Sequence, residues 1–226
     1  MTYLALEPAP VLAPRGTIMV EFRHDIAIRL FPEEEDHIRS AGPSRRREFT
    51  TARWCAREAL RQLGVTPGPL VPGNGGLPAW PPGTIGSLTH CIGYRAAVAT
   101  TATYYRATGI DALPHTGPLC DSVLARISTV KERDRLRILE HDAPVVVWSR
   151  VLFSAKESVF KCWFPQTRTS LDMSAIDVRI DPDGRFRIGF LIVPARHRDV
   201  AEVIEATTGS WEVRDDTIVT TLWIPS

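Results

Sequence analysis

Lysine is almost missing from this sequence: Lys131, Lys156 and Lys161 stand against 24 arginines in 226 residues. With Ala, Pro and Gly abundant, the bias suggests a GC-rich genome that replaces Lys by Arg wherever either serves. A surviving lysine then marks a position where the choice matters. A broad field of one charge is missing too, since Lys plus Arg number 27, Asp plus Glu 26, and the net charge is +1. That excludes nonspecific nucleic-acid binding through a basic face, and any anion must meet a local cluster.

Other absences narrow the function further. Cys55, Cys91, Cys120 and Cys162 form no CxxC pair, which excludes a zinc ribbon or a disulfide framework and implies thiols in a reducing compartment. No run approaches the roughly 18 apolar residues of a membrane span, and MTYLALEPAPVLAPRG lacks the basic start and apolar stretch of a leader. The expectation is a cytoplasmic protein with no membrane partner. GNGG at 73–76 is followed by LPAW rather than by Lys and Ser or Thr, which excludes a P-loop. IGSLTH lacks the second glycine of a nucleophile elbow, and Ser87 and His90 are too close in sequence for a separately positioned triad. His24, His37, His115, His141 and His197 have no metal-ligand spacing and are assigned to surface or capping roles.

What is present, 44% apolar residues over 226 positions, suffices for one large domain or two small packed ones. Strand-like runs TIMVEF and DIAIRL precede PEEEDHIRS, whose proline and carboxylates suit a helix start. A second helix is expected from Ser44, as N-cap, to Leu63, with Gly64 as its stop. Its apolar face carries Phe49, Ala52, Ala56 and Leu60, flanked by a ridge of Arg46, Arg53, Arg57 and Arg61 whose ordinary reading is a solvated basic face. TIGSLTHC, YRAAVATTATYY and YRATGIDAL read as strands. Residues 120–142 are helical in character, and WSRVLFSAKESVFKCWFP reads as a strong helix ended by Pro165. The tail alternates in strand fashion through AIDVRID, RFRIGFLIV, SWEVRD and TIVTTLWI. The expected fold is α+β: two similar lobes, each an antiparallel sheet on a long helix. Their expected spans are 1–105 and 106–226, though no repeat in the letters shows a symmetry between them.

On the wheel of the third long helix, Trp148, Leu152, Ala155, Val159, Cys162 and Trp163 share one face, and Lys156 falls inside that stripe. Either it snorkels to water along apolar neighbours or its ammonium crosses toward a buried anion. Glu157 and Lys161, at i and i+4 on the stripe's edge, read by themselves as a surface ion pair worth a few tenths of a kcal/mol. Phe160, Trp163 and Phe164 read as core in preference to a partner surface. Two further stretches bear on these residues. Gly86 and the hydroxyls of GSLTH let a phosphate approach the backbone, with His90 as an added donor. Asp111 in GID offers a carboxylate to a hard cation, with Glu157 as the second. Magnesium on a pyrophosphate commonly takes one or two protein carboxylates.

GSLTHCIGYRAAVA, GIDALPH and WSRVLFSAKESVFKCWFP resemble, in order and spacing, the three signature motifs of the 4'-phosphopantetheinyl transferases. The resemblance is to the two-lobed monomeric class that activates nonribosomal peptide and polyketide synthases, and it implies lobes related by a pseudo-twofold with the active site in the cleft between them. The likeness reaches upstream through RRREFTTARWCAREALRQLG and GGLPAWPPG, so it spans about residues 30 to 170. It implies a transferase that moves the 4'-phosphopantetheine arm of coenzyme A to a serine of an acyl or peptidyl carrier protein, with magnesium, releasing adenosine 3',5'-bisphosphate. By motif position it implies Asp111 and Glu157 as metal ligands, with Glu157 also the base for the carrier serine. Lys156 and Lys161 would contact the pyrophosphate and the pantetheine side, Lys161 in a catalytic role beside Asp111. Ser87, Thr89 and His90 would hold phosphates of coenzyme A, and Arg45 and Arg53 its 3'-phosphate. A compact ammonium can follow a phosphate through transfer where a planar guanidinium demands a fixed fork, which accounts for the two retained lysines.

The sequence departs from the pattern twice. Leu113 stands where the family commonly places a third metal-ligand Glu, and Pro72 stands in a region where relatives often carry a phosphate-binding lysine. One reading is an active transferase with weakened magnesium affinity. The other is a degenerate homologue that binds coenzyme A or a carrier protein without transfer, or performs a different reaction on them.

Overall fold

A computed structural model of the protein describes residues 12–226; the first eleven residues, with most of the segment read above for a leader, lie outside it. Alternating residues in three of the expected runs form β1 (Thr17–Phe22), β2 (Thr84–Cys91) and β3 (Tyr94–Thr101), an antiparallel sheet of order β1-β3-β2. The central strand β3 is buried on both faces, and its small side chains explain why. Ala97 packs under the second helix with Cys55, Ala56 and Leu60. Tyr94, Ala96 and Val98, on the opposite face by the two-residue period of a strand, meet Ile110, Ala112, Val219 and Trp223. Those four belong to a second sheet, so one apolar layer joins the two halves.

The helices of the first half are α1 (Pro32–His37) and α2 (Pro43–Gln62). Proline occupies the first turn of each, and Gly42, not Ser44, is the N-cap of α2. Gly64 follows its C-terminus at φ +75°, the left-handed conformation that only glycine enters freely. DIAIRL is not a strand: Ile26 donates its N–H to Thr51 Oγ1 and Arg29 gives its carbonyl to Arg57, so side chains of α2 take up groups a ladder would have used.

The second half opens with β4 (Tyr105–Pro114), then α3 (Asp121–Ile127), α4 (Val130–Asp142) and α5 (Trp148–Thr167). It continues with β5 (Ile176–Asp181), β6 (Arg185–Phe190), α6 (Arg198–Glu205), β7 (Thr208–Arg214) and β8 (Thr217–Pro225). The five strands are antiparallel in the order β4-β8-β7-β6-β5, and α5 crosses them with Trp148, Leu152, Val159 and Trp163 in the core. Gly109 of β4 sits where any side chain would meet the α5 backbone, 2.0 Å from the Ser158 carbonyl oxygen. The α+β architecture of two antiparallel sheets, each on a twenty-residue helix, is as the sequence suggests.

Three details of the second half differ from expectation. Residues 120–142 form two helices, because Thr129 caps α4 and exchanges hydrogen bonds with Glu132 in a capping box. Pro165 lies inside α5, which runs on to Thr167 and stops at Arg168 with φ 53°; a proline removes one amide donor without blocking the turn that follows. The tail contains α6, whose Val200, Ala201 and Ile204 are buried at helical spacing. His115 has the capping role expected of it, accepting from the Val147 N–H at the start of α5.

Lys156 supplies the strongest cross-brace of this half. Its ammonium is wholly buried and donates to Glu132 Oε2 at 2.8 Å and to the carbonyls of Ile127, Met173 and Ile176 at 2.7, 2.7 and 2.9 Å. Glu132 in turn accepts from the N–H groups of Thr129 and Val178. One ion pair thus ties α3, α4, α5 and β5. Burial lowers the Lys156 pKa and the Glu132 charge pulls it back up. Replacing Lys156 by Met strands the Glu132 carboxylate without its counter-ion, and is expected to lower unfolding free energy by about 3–5 kcal/mol in chemical denaturation. A loss under about 1 kcal/mol, the range of an exposed pair, would show that this pair does not hold the helices together.

Candidate active site

The site grows from the join between β2 and β4. Ser87 Oγ accepts the Ile110 N–H at 3.2 Å, and Thr89 Oγ1 donates to Asp111 Oδ1 at 3.4 Å, so β2 side chains fix the register of β4 against it. Ser87 keeps its own hydroxyl proton available. Thr89, nearly inaccessible, is committed to Asp111 rather than to the open space. Asp111 also receives Ser154 Oγ at 2.9 Å and the Lys161 ammonium at 2.8 Å. Lys161 completes its contacts on the Ile110 carbonyl at 2.7 Å.

Glu157 does not form the i,i+4 ion pair that its spacing to Lys161 suggested. It is half-buried, and neither a hydrogen bond nor an ion pair of its carboxylate occurs among the described residues. Burial pushes its pKa up and the nearby Asp111 charge adds to that, while Lys161 opposes both. Two carboxylates thus stand near one ammonium, which pairs with Asp111. A divalent cation would suit this arrangement, because Glu157 has acceptor capacity to spare and two protein carboxylates are a common complement for magnesium. Among the described residues no cluster of three His, Cys, Asp or Glu could hold a metal. Leu113, half-buried two residues beyond Asp111, contributes no ligand.

A cavity of about 620 Å³ opens beside this group, walled by α2, β2, α5 and the segment around Trp80. Gly86 admits Trp80: a β-carbon there would lie 2.4 Å from the indole. Phe160 and Phe164 stack at 5.4 Å and face the cavity, and Phe164 leaves no room for a side chain on Gly75. Of the three aromatic residues expected in the core, only Trp163 is there. A helix puts i and i+4 on one face, and the pair 160 and 164 falls on the side opposite the core stripe.

Arg45, Arg53 and His90 form the basic end of this cavity. Arg53 is not on a solvated ridge. Its Nε donates to the Leu70 carbonyl at 2.7 Å, its guanidinium lies 4.0 Å over the Phe49 ring, and burial brings its pKa down to about 10. It remains charged at neutral pH. Arg57 is buried as well and pairs with Glu34. Arg45 NH1 lies 2.8 Å from His90 Nε2, and the His90 pKa is lowered, first by burial and then by Arg45. Pro72 is in the wall but offers no charge.

Lys156 is not part of this group, contrary to the motif-based expectation. With no exposed surface and four acceptors around three protons, its ammonium has nothing left for a ligand. Sequence reasoning also passed over three residues in the cavity wall, Glu48, Arg106 and Arg168. Arg106 stands at the irregular start of β4, where the pairing with β8 skips it, so strand alternation in the sequence does not place it. Arg168 owes its place to a left-handed turn after α5 that no residue type there announces. A second recess of about 970 Å³ is lined by Arg126, Phe153, Leu171, Met173 and again Glu157. Glu157 thus stands in the walls of both cavities.

Comparison with known proteins bears on this geometry. A family described as the 4'-phosphopantetheinyl transferase N-terminal domain matches residues 33–100, and the 4'-phosphopantetheinyl transferase superfamily matches residues 107–218. The 4'-phosphopantetheinyl transferase Svp of Streptomyces mobaraensis is 45% identical over 193 residues, covering 85% of this chain and 78% of that protein. The 4'-phosphopantetheinyl transferase PptT of Mycobacterium tuberculosis is 44% identical over 167 residues, 71% of this chain and 72% of its own. The 4'-phosphopantetheinyl transferase Npt of Nocardia iowensis is 35% identical over 211 residues, 90% and 92% of the two chains.

The unpartnered carboxylate has a consequence for stability. A carboxyl whose folded-state pKa lies above its unfolded value costs stability once it ionises, and the cost vanishes when it is protonated. Glu157→Gln is therefore expected to raise the thermal midpoint at neutral pH, with the gain shrinking as pH falls through the ordinary carboxylate range. Differential scanning fluorimetry across pH 4 to 8 reads both effects. A midpoint that does not rise at neutral pH would mean the carboxylate is not under electrostatic stress.

Proposed function

The chain belongs to the 4'-phosphopantetheinyl transferase superfamily, and on that premise we propose that it transfers the phosphopantetheine arm of coenzyme A to a serine hydroxyl of an acyl or peptidyl carrier protein. One observation carries the site assignment: Glu157 stands in the walls of both cavities, beside the Asp111–Lys161 pair. The nucleotide end of coenzyme A lies in the cavity beside Trp80, with its phosphates toward Arg45, Arg53, His90 and the free hydroxyl proton of Ser87. Its diphosphate reaches Lys161. The acceptor serine approaches Glu157 from the other recess.

Glu157 takes the proton of the serine hydroxyl as the oxygen forms a bond to the phosphorus that carries the pantetheine arm. The bond from that phosphorus to the bridging oxygen breaks, and adenosine 3',5'-bisphosphate leaves. A carboxylate with a raised pKa is a better base for this than an ordinary one. Lys161 neutralises charge on the transferring group, and positioning with charge compensation supplies most of the acceleration in such transfers. Asp111 and Glu157 would hold a magnesium ion, which when bound supplies further charge neutralisation on the diphosphate oxygens.

The same proposal divides the chain at residues 105 and 106, with the site in the cleft between its lobes. It takes the protein as a cytoplasmic monomer, since walls from both halves of one chain complete the cavity. No described helix is long and apolar enough to cross a membrane.

Intact-mass spectrometry of an apo carrier protein, incubated with the enzyme, coenzyme A and magnesium, should show the addition of one phosphopantetheine arm. Asp111→Asn should reduce the rate by about 100-fold or more. An unchanged carrier mass would refute transfer. Leu113→Glu, which restores a carboxylate two residues along β4, should lower the magnesium concentration for half-maximal rate. An unaltered dependence would show that Leu113 does not face the ion.

A further inference from the structure

An acidic residue in the basic end of an anion cavity calls for an explanation. Glu48, one turn of α2 beyond Arg45, lines the cavity with its Oε2 3.6 Å from Arg45 NH1 and 3.5 Å from His90 Nε2. Arg45 NH1 and His90 Nε2 are themselves only 2.8 Å apart. A guanidinium can only donate, so Nε2 must be the acceptor and the imidazole is neutral with its proton on Nδ1. Glu48 consequently stands close to both groups, hydrogen-bonded to neither at good distance.

A phosphate entering this end competes for Arg45, whose side chain is 53% exposed. When Arg45 turns to the anion, Nε2 loses its donor and the imidazole loses the neighbour that most disfavours its charged form after burial itself. The groups then facing His90 are Glu48 and Arg45 on α2, Lys161 on α5, and Arg95 on β3. Both cations closest to the anion are neutralised by it, whereas Glu48 remains an acceptor within reach of a new Nε2–H. An imidazolium has two N–H donors and can serve the carboxylate with one and the anion with the other.

We propose that Glu48 is a positioning residue that makes anion binding in this cavity proton-coupled: the phosphate draws Arg45 off His90, and His90 takes up a proton in a position that Glu48 fixes. Glu48 thereby converts a neutral acceptor into a cationic donor only when a ligand is present. The empty cavity thereby avoids a third positive charge beside Arg45 and Arg53. This inference rests on the assignment of coenzyme A phosphates to the basic end.

Isothermal titration calorimetry of the full chain with coenzyme A, at about pH 7.5, about one unit above the ordinary imidazole value, tests it. Comparing buffers of high and low ionisation enthalpy counts the protons exchanged. The wild type should take up roughly half a proton per ligand beyond the His90→Gln variant, whose remaining exchange belongs to the ligand itself. Glu48→Gln, which keeps the shape and removes the charge, should reduce that difference at least about threefold. A wild type that matches His90→Gln, or a Glu48→Gln variant with undiminished uptake, overturns the proposal. Failure of coenzyme A to bind would instead refute the functional reading, and inorganic pyrophosphate titrated in the same buffers then decides the role of Glu48. Uptake lost in Glu48→Gln supports it; undiminished uptake, or no binding of pyrophosphate, overturns it.

Discussion

The ammonium of Lys156 has no route to water, and much of the second half of the chain is arranged to satisfy it. Its four acceptors come from the end of α3, the capping glutamate of α4, and the segment entering β5. A buried charge held from three sides fixes the rotation of α5 more tightly than apolar packing, which tolerates sliding. The next residue along is Glu157, and one further turn brings Lys161. With the rotation set, Glu157 and Lys161 point at the join with the first lobe. There Asp111 is held in turn by Thr89, Ser154 and Lys161. The two lysines five residues apart thus do different work: one locks the helix, and the other pairs with Asp111 at the cavity wall.

Charge in the cavity is mixed by construction. Arg45 faces Glu48 and Lys161 pairs with Asp111 beside Glu157, whereas Arg106 bonds to the neutral Gln166 and Arg168 has no ion pair among the described residues. A cavity with many unopposed cations would bind any polyanion strongly and release product slowly. Where a cation is held by a nearby acid, as Arg45 and Lys161 are, the ligand must displace an existing partner, so affinity depends on an anion geometry that engages several cations together. Arg53 is the exception: stacked on Phe49 and donating to a backbone carbonyl, it is immobile and serves as a fixed point.

The legibility of this protein varied with the range of the interactions concerned. Strand runs such as TIGSLTHC and the span of α2 followed from short-range periodicity, and the motifs located Asp111, Glu157, Lys161 and His90 within one site. The wheel of α5 already placed Lys156 inside the apolar stripe, and one of its two readings, an ammonium crossing to a buried anion, matches the structure. The motif analogy instead assigned Lys156 to the phosphates. Its partner Glu132 lies 24 residues away on another helix, and nothing local in the sequence names it. The same limit hid Glu48, whose meaning depends on His90, a strand residue brought to it by folding. DIAIRL misled for the converse reason: its alternation is strand-like, but α2 side chains claim its backbone groups.

Leu113 alters the balance of the acidic group rather than its position. On the proposed reading, a third carboxylate would gather a cation before any ligand arrives. With Asp111 already neutralised by Lys161, only Glu157 remains uncompensated. One free carboxylate attracts a divalent ion weakly, and a hard cation that dehydrates reluctantly gains most from the diphosphate's own oxygens. The cation would then enter with coenzyme A, and occupancy would follow that of the substrate. On that reading, a missing third carboxylate would couple metal to substrate more tightly and weaken independent metal affinity.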